Sequence, residues 1–324
     1  MQSLRGCFDQ GDSSTVRSLI LLPIISALFS VPAGQERDGD PFVIAVNVEL
    51  VVFNVTVVDA RGRHIAGLKS SDFRVFEEGR PLSIRHFEAE DAPSSIGLLI
   101  DNSGSMRNKR DVVHHAALDF ISSSRPGDEL FLLYFDDKIH MGLPAEMSFT
   151  SDGNRLRPAF ERIMPGGRTA LYDALAAGLS HVSLGSRDRR ALILFSDGGD
   201  NASTKRLDDV LQSERQSSAT IYAIGVYDVN DPDKNPGVLR KIADASGGRA
   251  YFPASLSNVE RIWSDIAGEI RSQYTIGFIP GSASRDGAFR NVKIEVGGRK
   301  NLSVITRKGY EVTRVRGTSS VEKR

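Results

Sequence analysis

The sequence holds a single cysteine, Cys7, in 324 residues. No intramolecular disulfide can form, and no thiolate cluster can hold zinc. Net charge is missing too: 41 Lys and Arg stand against 41 Asp and Glu, so no overall basic field draws the chain to nucleic acid or to an anionic membrane. Histidines are few and scattered. His114 and His115 are adjacent and cannot share a helix face, and His64, His86, His140 and His181 show no His-Glu-x-x-His spacing, so no histidine metal site is expected. There is no Gly-x-Ser-x-Gly elbow and no Gly-x-x-x-x-Gly-Lys-Ser/Thr phosphate loop, which removes the defining parts of a serine hydrolase and of an autonomous NTPase. The apolar block from Ser18 to Val31 is too short and too broken by Pro23 for a comfortable membrane span.

What is present begins with enough apolar sequence, 40% of the chain, to build a packed core without crosslinks. The most informative stretch runs from Ser95 to Ser105. Ser-Ile-Gly-Leu-Leu-Ile is a short apolar run suited to a strand buried on both faces, and it stops abruptly at Asp101-Asn-Ser103-Gly-Ser105. Val112, Val113, Ala116, Ala117, Phe120 and Ile121 then recur at helical spacing. The Asp-x-Ser-x-Ser loop therefore falls between the carboxyl end of a parallel strand and a helix start, where open α/β sheets bind ligands. Oxygen-only ligands point to a hard cation, most simply Mg²⁺, with Mn²⁺ or Ca²⁺ as alternatives.

This loop resembles the metal-ion-dependent adhesion site (MIDAS) of von Willebrand factor type A (VWA) domains, whose pattern adds a distant Thr and a more distant Asp. Both can be found in order, as Thr169 in Gly-Gly-Arg-Thr-Ala-Leu-Tyr-Asp and Asp197 in Leu-Ile-Leu-Phe-Ser-Asp-Gly. The resemblance implies that Asp101, Ser103 and Ser105 bind the ion directly, that Asp197 acts mainly through a water, and that Thr169 binds directly or through water. It also implies an open coordination position that accepts a Glu or Asp of a partner protein. Asp173, one turn beyond Thr169, would stand beside the ligands rather than on the ion, or serve as a helix-start acid.

Each residue also has a plainer reading. Asp101 could cap the following helix, Ser103 and Ser105 could be turn residues, Thr169 could cap the helix starting near Leu171, and Asp197 could serve only the Ser-Asp-Gly-Gly turn. Asp200 reads as a surface residue. The acidic stretch Asp228 to Asp233 begins like a calcium loop, but Pro232 stands where an oxygen ligand is needed.

Along the chain, residues 1–33 read as a secretory signal peptide cut after Ala33, with small residues at the cleavage positions and Arg17 ahead of the apolar block. Cleavage would leave no thiol. Residues 34–92 read as the first part of a β domain, with a hairpin from Phe73 to Phe87 around Glu78-Gly79-Arg80-Pro81. From 93 to 273 strands and helices alternate, predicting an α/β fold with a doubly wound, mostly parallel, Rossmann-like sheet. Residues 274–314 return to strands that would pair with 42–92 into a sandwich-like flanking domain, and 315–324 is a polar tail. Val57-Val-Asp59, Leu68 to Phe73, Phe76 to Gly79 and Gln273 to Phe278 extend the resemblance to bacterial, acidobacterial-type proteins related to von Willebrand factor A.

The expected function is a secreted or periplasmic interaction module, not an enzyme. It would hold Mg²⁺ and bind a protein ligand that presents Glu or Asp, and it would not bind nucleic acid. A scaffold of a cell-envelope assembly with a merely stabilising metal is the alternative, and a metal-dependent hydrolase a more distant one, because the loop offers hydroxyls where that chemistry wants a proton-shuttling carboxylate.

Overall fold

Alternation of β-branched and aromatic residues makes the first strand, β1 (Val51–Asp59), which buries Phe53, Val55 and Val57. A computed structural model describes residues 50–162, 164–227, 234–255, 258–281, 286–298 and 301–312. The expected leader, the acidic stretch 228–233 and the polar tail lie outside them.

β2 (Phe73–Glu77) and β3 (Arg80–Leu82) form a tight hairpin in which Glu77 faces Arg80. Its two turn residues, Glu78 and Gly79, have φ of 47° and 77°, the left-handed pair that a two-residue hairpin turn requires. The expected longer hairpin to Phe87 does not form. Pro81 lacks an N–H, which keeps β3 short and at the sheet edge, and the chain crosses to another sheet as β4 (Ile84–Glu88).

β5 (Ser94–Asp101) is buried at every residue. It is followed by α1 (Arg110–Ser122), β6 (Glu129–Phe135), the short edge strand β7 (Ile139–Met141), α2 (Arg157–Arg162) and α3 (Leu171–Val182). Then come β8 (Arg189–Ser196), α4 (Leu207–Gln216), β9 (Thr220–Gly225), α5 (Pro236–Ser246), β10 (Ala250–Tyr251) and α6 (Val259–Ser272). The sheet order is β10-β9-β8-β5-β6-β7, parallel except for β7. Strand order reverses at β5, so β5 and β8 lie side by side at its centre. A glycine in β5 permits the tight packing there: a Cβ on Gly97 would lie 2.2 Å from Phe131 and 2.7 Å from Leu192. α6 closes the domain with Trp263 packed at a tilt between Phe120 and Phe195, ring centres 4.8 and 4.6 Å away.

After α6 the chain re-enters antiparallel structure through β11 (Tyr274–Phe278), β12 (Phe289–Val296), β13 (Leu302–Ile305) and β14 (Gly309–Glu311). β1 runs between β11 and β13, with β4 on the far side of β11, and β12 runs between β2 and β14. Each of the two four-stranded sheets thus mixes strands from before and after the α/β region. A second core fills the space among Phe53, Val55, Phe73, Val75, Tyr274, Phe278, Ile294 and Tyr310. The architecture is an α/β fold with a mostly parallel central sheet wrapped by helices and flanked by antiparallel sheets.

Candidate metal centre

Strand register determines which side chains meet at the carboxyl ends of the central strands. Ile100 is paired with Phe195 across β5 and β8, so the next residues along, Asp101 and Ser196, come together at the strand ends. Ser196 Oγ donates to Asp101 Oδ2 at 2.7 Å and accepts from Gly198 N at 3.0 Å. Asp101 Oδ1 accepts the backbone N–H of Ser103 at 2.9 Å. Ser103 and Ser105 hydroxyls lie 3.2 Å apart, and Ser105 Oγ donates to Asp197 Oδ2 at 2.5 Å. Four of the five expected ligands, Asp101, Ser103, Ser105 and Asp197, are thereby linked by hydrogen bonds running through Ser196 and the loop backbone.

Thr169 approaches through its loop. Gly104 N donates to Gly167 O at 3.3 Å, which seats the Gly166-Gly167-Arg168-Thr169 turn against the serine loop. Thr169 is 5% exposed. Its N–H is held by Asn201 Oδ1 at 2.9 Å and its carbonyl accepts from Asn201 N and Ala202 N, each at 3.0 Å. Its hydroxyl makes no hydrogen bond among the described residues. The α3 N-terminus is not capped by Thr169; Ser203 Oγ accepts from Tyr172 N and Asp173 N at 3.0 and 3.1 Å. Asp200, read from the sequence as a surface residue, supports that cap by accepting from Ser203 Oγ at 2.5 Å and from Tyr172 N at 3.3 Å.

Asp173 is turned to other work. Its carboxylate accepts from Thr204 N, Thr204 Oγ1 and Lys205 N at 2.9 to 3.2 Å, and those bonds hold its pKa below the ordinary aspartate value despite partial burial. It fastens the segment leading into α4, and no described hydrogen bond joins it to Asp101 or Asp197.

Asp101 and Asp197 are 2% and 0% exposed. Burial, followed by the like charge of Asp197, pushes the Asp101 pKa up to about 7, and hydrogen bonds from Ser103 and Ser196 offset only part of this. Two buried carboxylates side by side are electrostatically costly unless a proton or a cation lies between them. The donor set is all oxygen: two carboxylates and three hydroxyls. It fits a hard divalent cation with few direct carboxylates, and Asp101, Ser103, Ser105, Thr169 and Asp197 are the residues that would hold it.

Asn102, Ser196, Asn201 and Ser203 were not singled out from the sequence. Asn102 links three segments, its N–H donating to Phe135 O at 2.7 Å, its Nδ2 to Met164 O at 2.8 Å and its carbonyl accepting from Gly166 N at 2.9 Å. Gly198 shapes the turn after Asp197 with φ of 86°, and a Cβ there would meet Asn235 O at 2.5 Å.

The α/β domain thus gathers acidic and hydroxyl oxygens at the carboxyl ends of its central parallel strands, where open α/β sheets bind ligands. Residues 96–199 match the family model for the von Willebrand factor type A domain. The solved structure of a von Willebrand factor type A protein from Catenulispora acidiphila aligns with a TM-score of 0.51 at 15% identity, covering 84% of this chain and 76% of that one, a likeness of fold. The uncharacterized protein sll0103 of Synechocystis is 29% identical over 167 residues, which span 49% of this chain and only 38% of that protein. Proximal thread matrix protein 1 from the mussel byssus, in a form described as having a zinc-occupied MIDAS motif, aligns with a TM-score of 0.49 at 18% identity, covering 60% of this chain and 49% of that one.

Proposed function

We propose that the chain is a divalent-cation-dependent protein-binding module working outside the cytoplasm, and that Mg²⁺ held by Asp101, Ser103, Ser105, Thr169 and Asp197 is its recognition element. The observation that carries this reading is the buried pairing of Asp101 with Asp197, joined through Ser103, Ser105 and Ser196 at the ends of adjacent strands. When bound, the cation supplies an electrophilic position for a Glu or Asp carboxylate of a partner. Ser103 and Ser105 present neutral oxygens, which leaves the ion more positive than a carboxylate cage would. Asp197, hydrogen-bonded by Gly199 N at 2.9 Å, is held in place by backbone. A binding role is favoured over hydrolysis because the loop offers hydroxyls where a proton-shuttling carboxylate would be needed. The apolar block before Ala33 supports export.

The test is Mg²⁺ and Mn²⁺ titration calorimetry together with affinity capture from envelope extract, using the full chain and Asp101→Ala. Asp101→Ala is expected to lose cation binding by at least about 100-fold, a loss of roughly 2.7 kcal/mol, with far-UV circular dichroism unchanged. Capture should vanish both in the variant and in chelator. Partner capture that persists undiminished in chelator overturns the reading. If chelation lowers Tm but leaves capture intact, the cation serves only to stabilise the loops.

A further inference from the structure

At the end of the central sheet opposite Asp101, a second group of side chains converges where the flanking sheet meets the base of β8. His86 and Glu88 are two residues apart on β4 and so share a face. Asp188 immediately precedes β8, 102 positions beyond His86, which is why no local sequence spacing reveals the group. His86 Nε2 lies 3.2 Å from Asp188 Oδ2 and 4.0 Å from Glu88 Oε1. One ligand atom from each residue lies within 4.8 Å of the others. His86 Nε2 is shut off from solvent yet makes no hydrogen bond, although a carboxylate oxygen is within reach.

We propose that His86, Glu88 and Asp188 form a second divalent-cation site, of the zinc class, separate from the Asp101 centre. One imidazole nitrogen and two carboxylate oxygens are a three-residue donor set that suits Zn²⁺ and leaves a position for water, whereas an all-oxygen set suits Mg²⁺. Zinc bonds to nitrogen and oxygen of about 2.0–2.2 Å need ligand atoms somewhat closer together than the wider separations here. The His86–Asp188 pair already meets that need, and the Glu88 side chain, 33% exposed, is free to swing inward and close the rest. Neutral imidazole with two carboxylates carries two negative charges, which a divalent ion cancels. Arg189 is electrostatically coupled to Glu88. Its four hydrogen bonds nevertheless go to the carbonyls of Ala89, Ala92, Ile270 and Gln273, so the Glu88 carboxylate remains available.

The placement gives the ion a task. β4 is the last flanking strand before the chain enters the central sheet, and Asp188 belongs to the central domain. An ion held by all three would cross-link the two sheet systems beside the Arg189 anchor, stabilising the assembled protein by linkage. The rival account is a bare ion pair, with His86 protonated between two carboxylates.

The experiment uses the full chain, stripped with chelator, in an Asp101→Ala background that disables the oxygen centre. Co²⁺ is the spectroscopic probe and Zn²⁺ the thermal one. The expected result is one equivalent of Co²⁺ with visible absorption bands of low coordination number, and a Zn²⁺-induced rise in Tm of roughly 5 °C. Adding His86→Gln, or independently Asp188→Asn, should weaken binding at least 100-fold and abolish the Tm rise. Asp188 is exposed enough that its variant tests the site even if His86→Gln perturbs folding. Zn²⁺ binding that survives both substitutions, or no Zn²⁺ binding and no Tm change in the parent background, overturns the proposal in favour of the ion pair.

Discussion

At the scale of single residues, Glu214 is an acid buried without the partners that its charge demands. It lies on α4, 2% exposed, and neither carboxylate oxygen accepts a hydrogen bond of good geometry. Burial pushes its pKa from 4.5 up to about 9, while Ser246, Arg215 and Arg307 pull the other way. Arg307 directs its two Nη groups to Ser217 O and Val52 O and lies 4.2 Å over the Phe53 ring, so it does not clasp the acid. The folded chain therefore keeps a proton that the unfolded chain releases. Between pH 4.5 and 9 each unit of rising pH removes stability, by up to about 1.4 kcal/mol. Glu214→Gln carries no such titration. Its urea midpoint should match the parent near pH 5 and exceed it clearly at pH 8; equal midpoints at pH 8 would show that Glu214 is ionised in the fold and held by Arg307.

Individual elements show why some features are legible in sequence and others are not. β5 reads plainly as a buried strand because its apolar run is uninterrupted and because it ends at Asp101, which has no place deeper in the sheet. The expectation of a mostly parallel α/β sheet followed from such runs alternating with helical periodicity, and the fold agrees. Ser196 escaped notice because its role depends on the β5–β8 register, a property of two strands 95 positions apart rather than of either one. The fate of Ile84–Glu88 was misread for a related reason: alternation identifies a strand but not the sheet it joins, and the edge-seeking Pro81 decides that. Gly97 is a residue whose absence of a side chain has a packing cause at the element scale. Phe131 cannot retreat from an added Cβ, since its ring is packed against Phe149 at 5.4 Å and His181 at 4.4 Å. Gly97→Ala should therefore cost about 1–3 kcal/mol of stability through overpacking, read from the urea midpoint, whereas a loss under about 0.5 kcal/mol would mean that β5 and β6 can separate locally.

For the whole molecule, the decisive fact is that the chain passes between the two sheet systems twice, at residues 89–92 and again at 270–273, and that one side chain holds both passages. Arg189 is fully buried and donates to Ala92 O at 3.2 Å and Ala89 O at 2.9 Å on the way in, and to Ile270 O at 3.4 Å and Gln273 O at 2.7 Å on the way out. Asn54 adds a second tie, reaching from β1 to Arg190 O, Ser218 O and Thr220 Oγ1 at 3.2 to 3.3 Å. Arg307 adds a third by joining Ser217 O to Val52 O. These contacts tie the α/β region, inserted between strands of the flanking sheets, firmly to those sheets. Calorimetry of the parent protein should accordingly give one cooperative unfolding transition. Arg189→Met keeps much of the volume but leaves buried carbonyls without their donor, a loss of about 3–5 kcal/mol if the site cannot admit water. Because that loss falls on the joint rather than on either core, the variant should unfold in two steps, the flanking sheets and the α/β domain separating in Tm. A single transition merely shifted downward would instead mean that Asn54, Arg307 and the buried strand ends suffice to couple the halves.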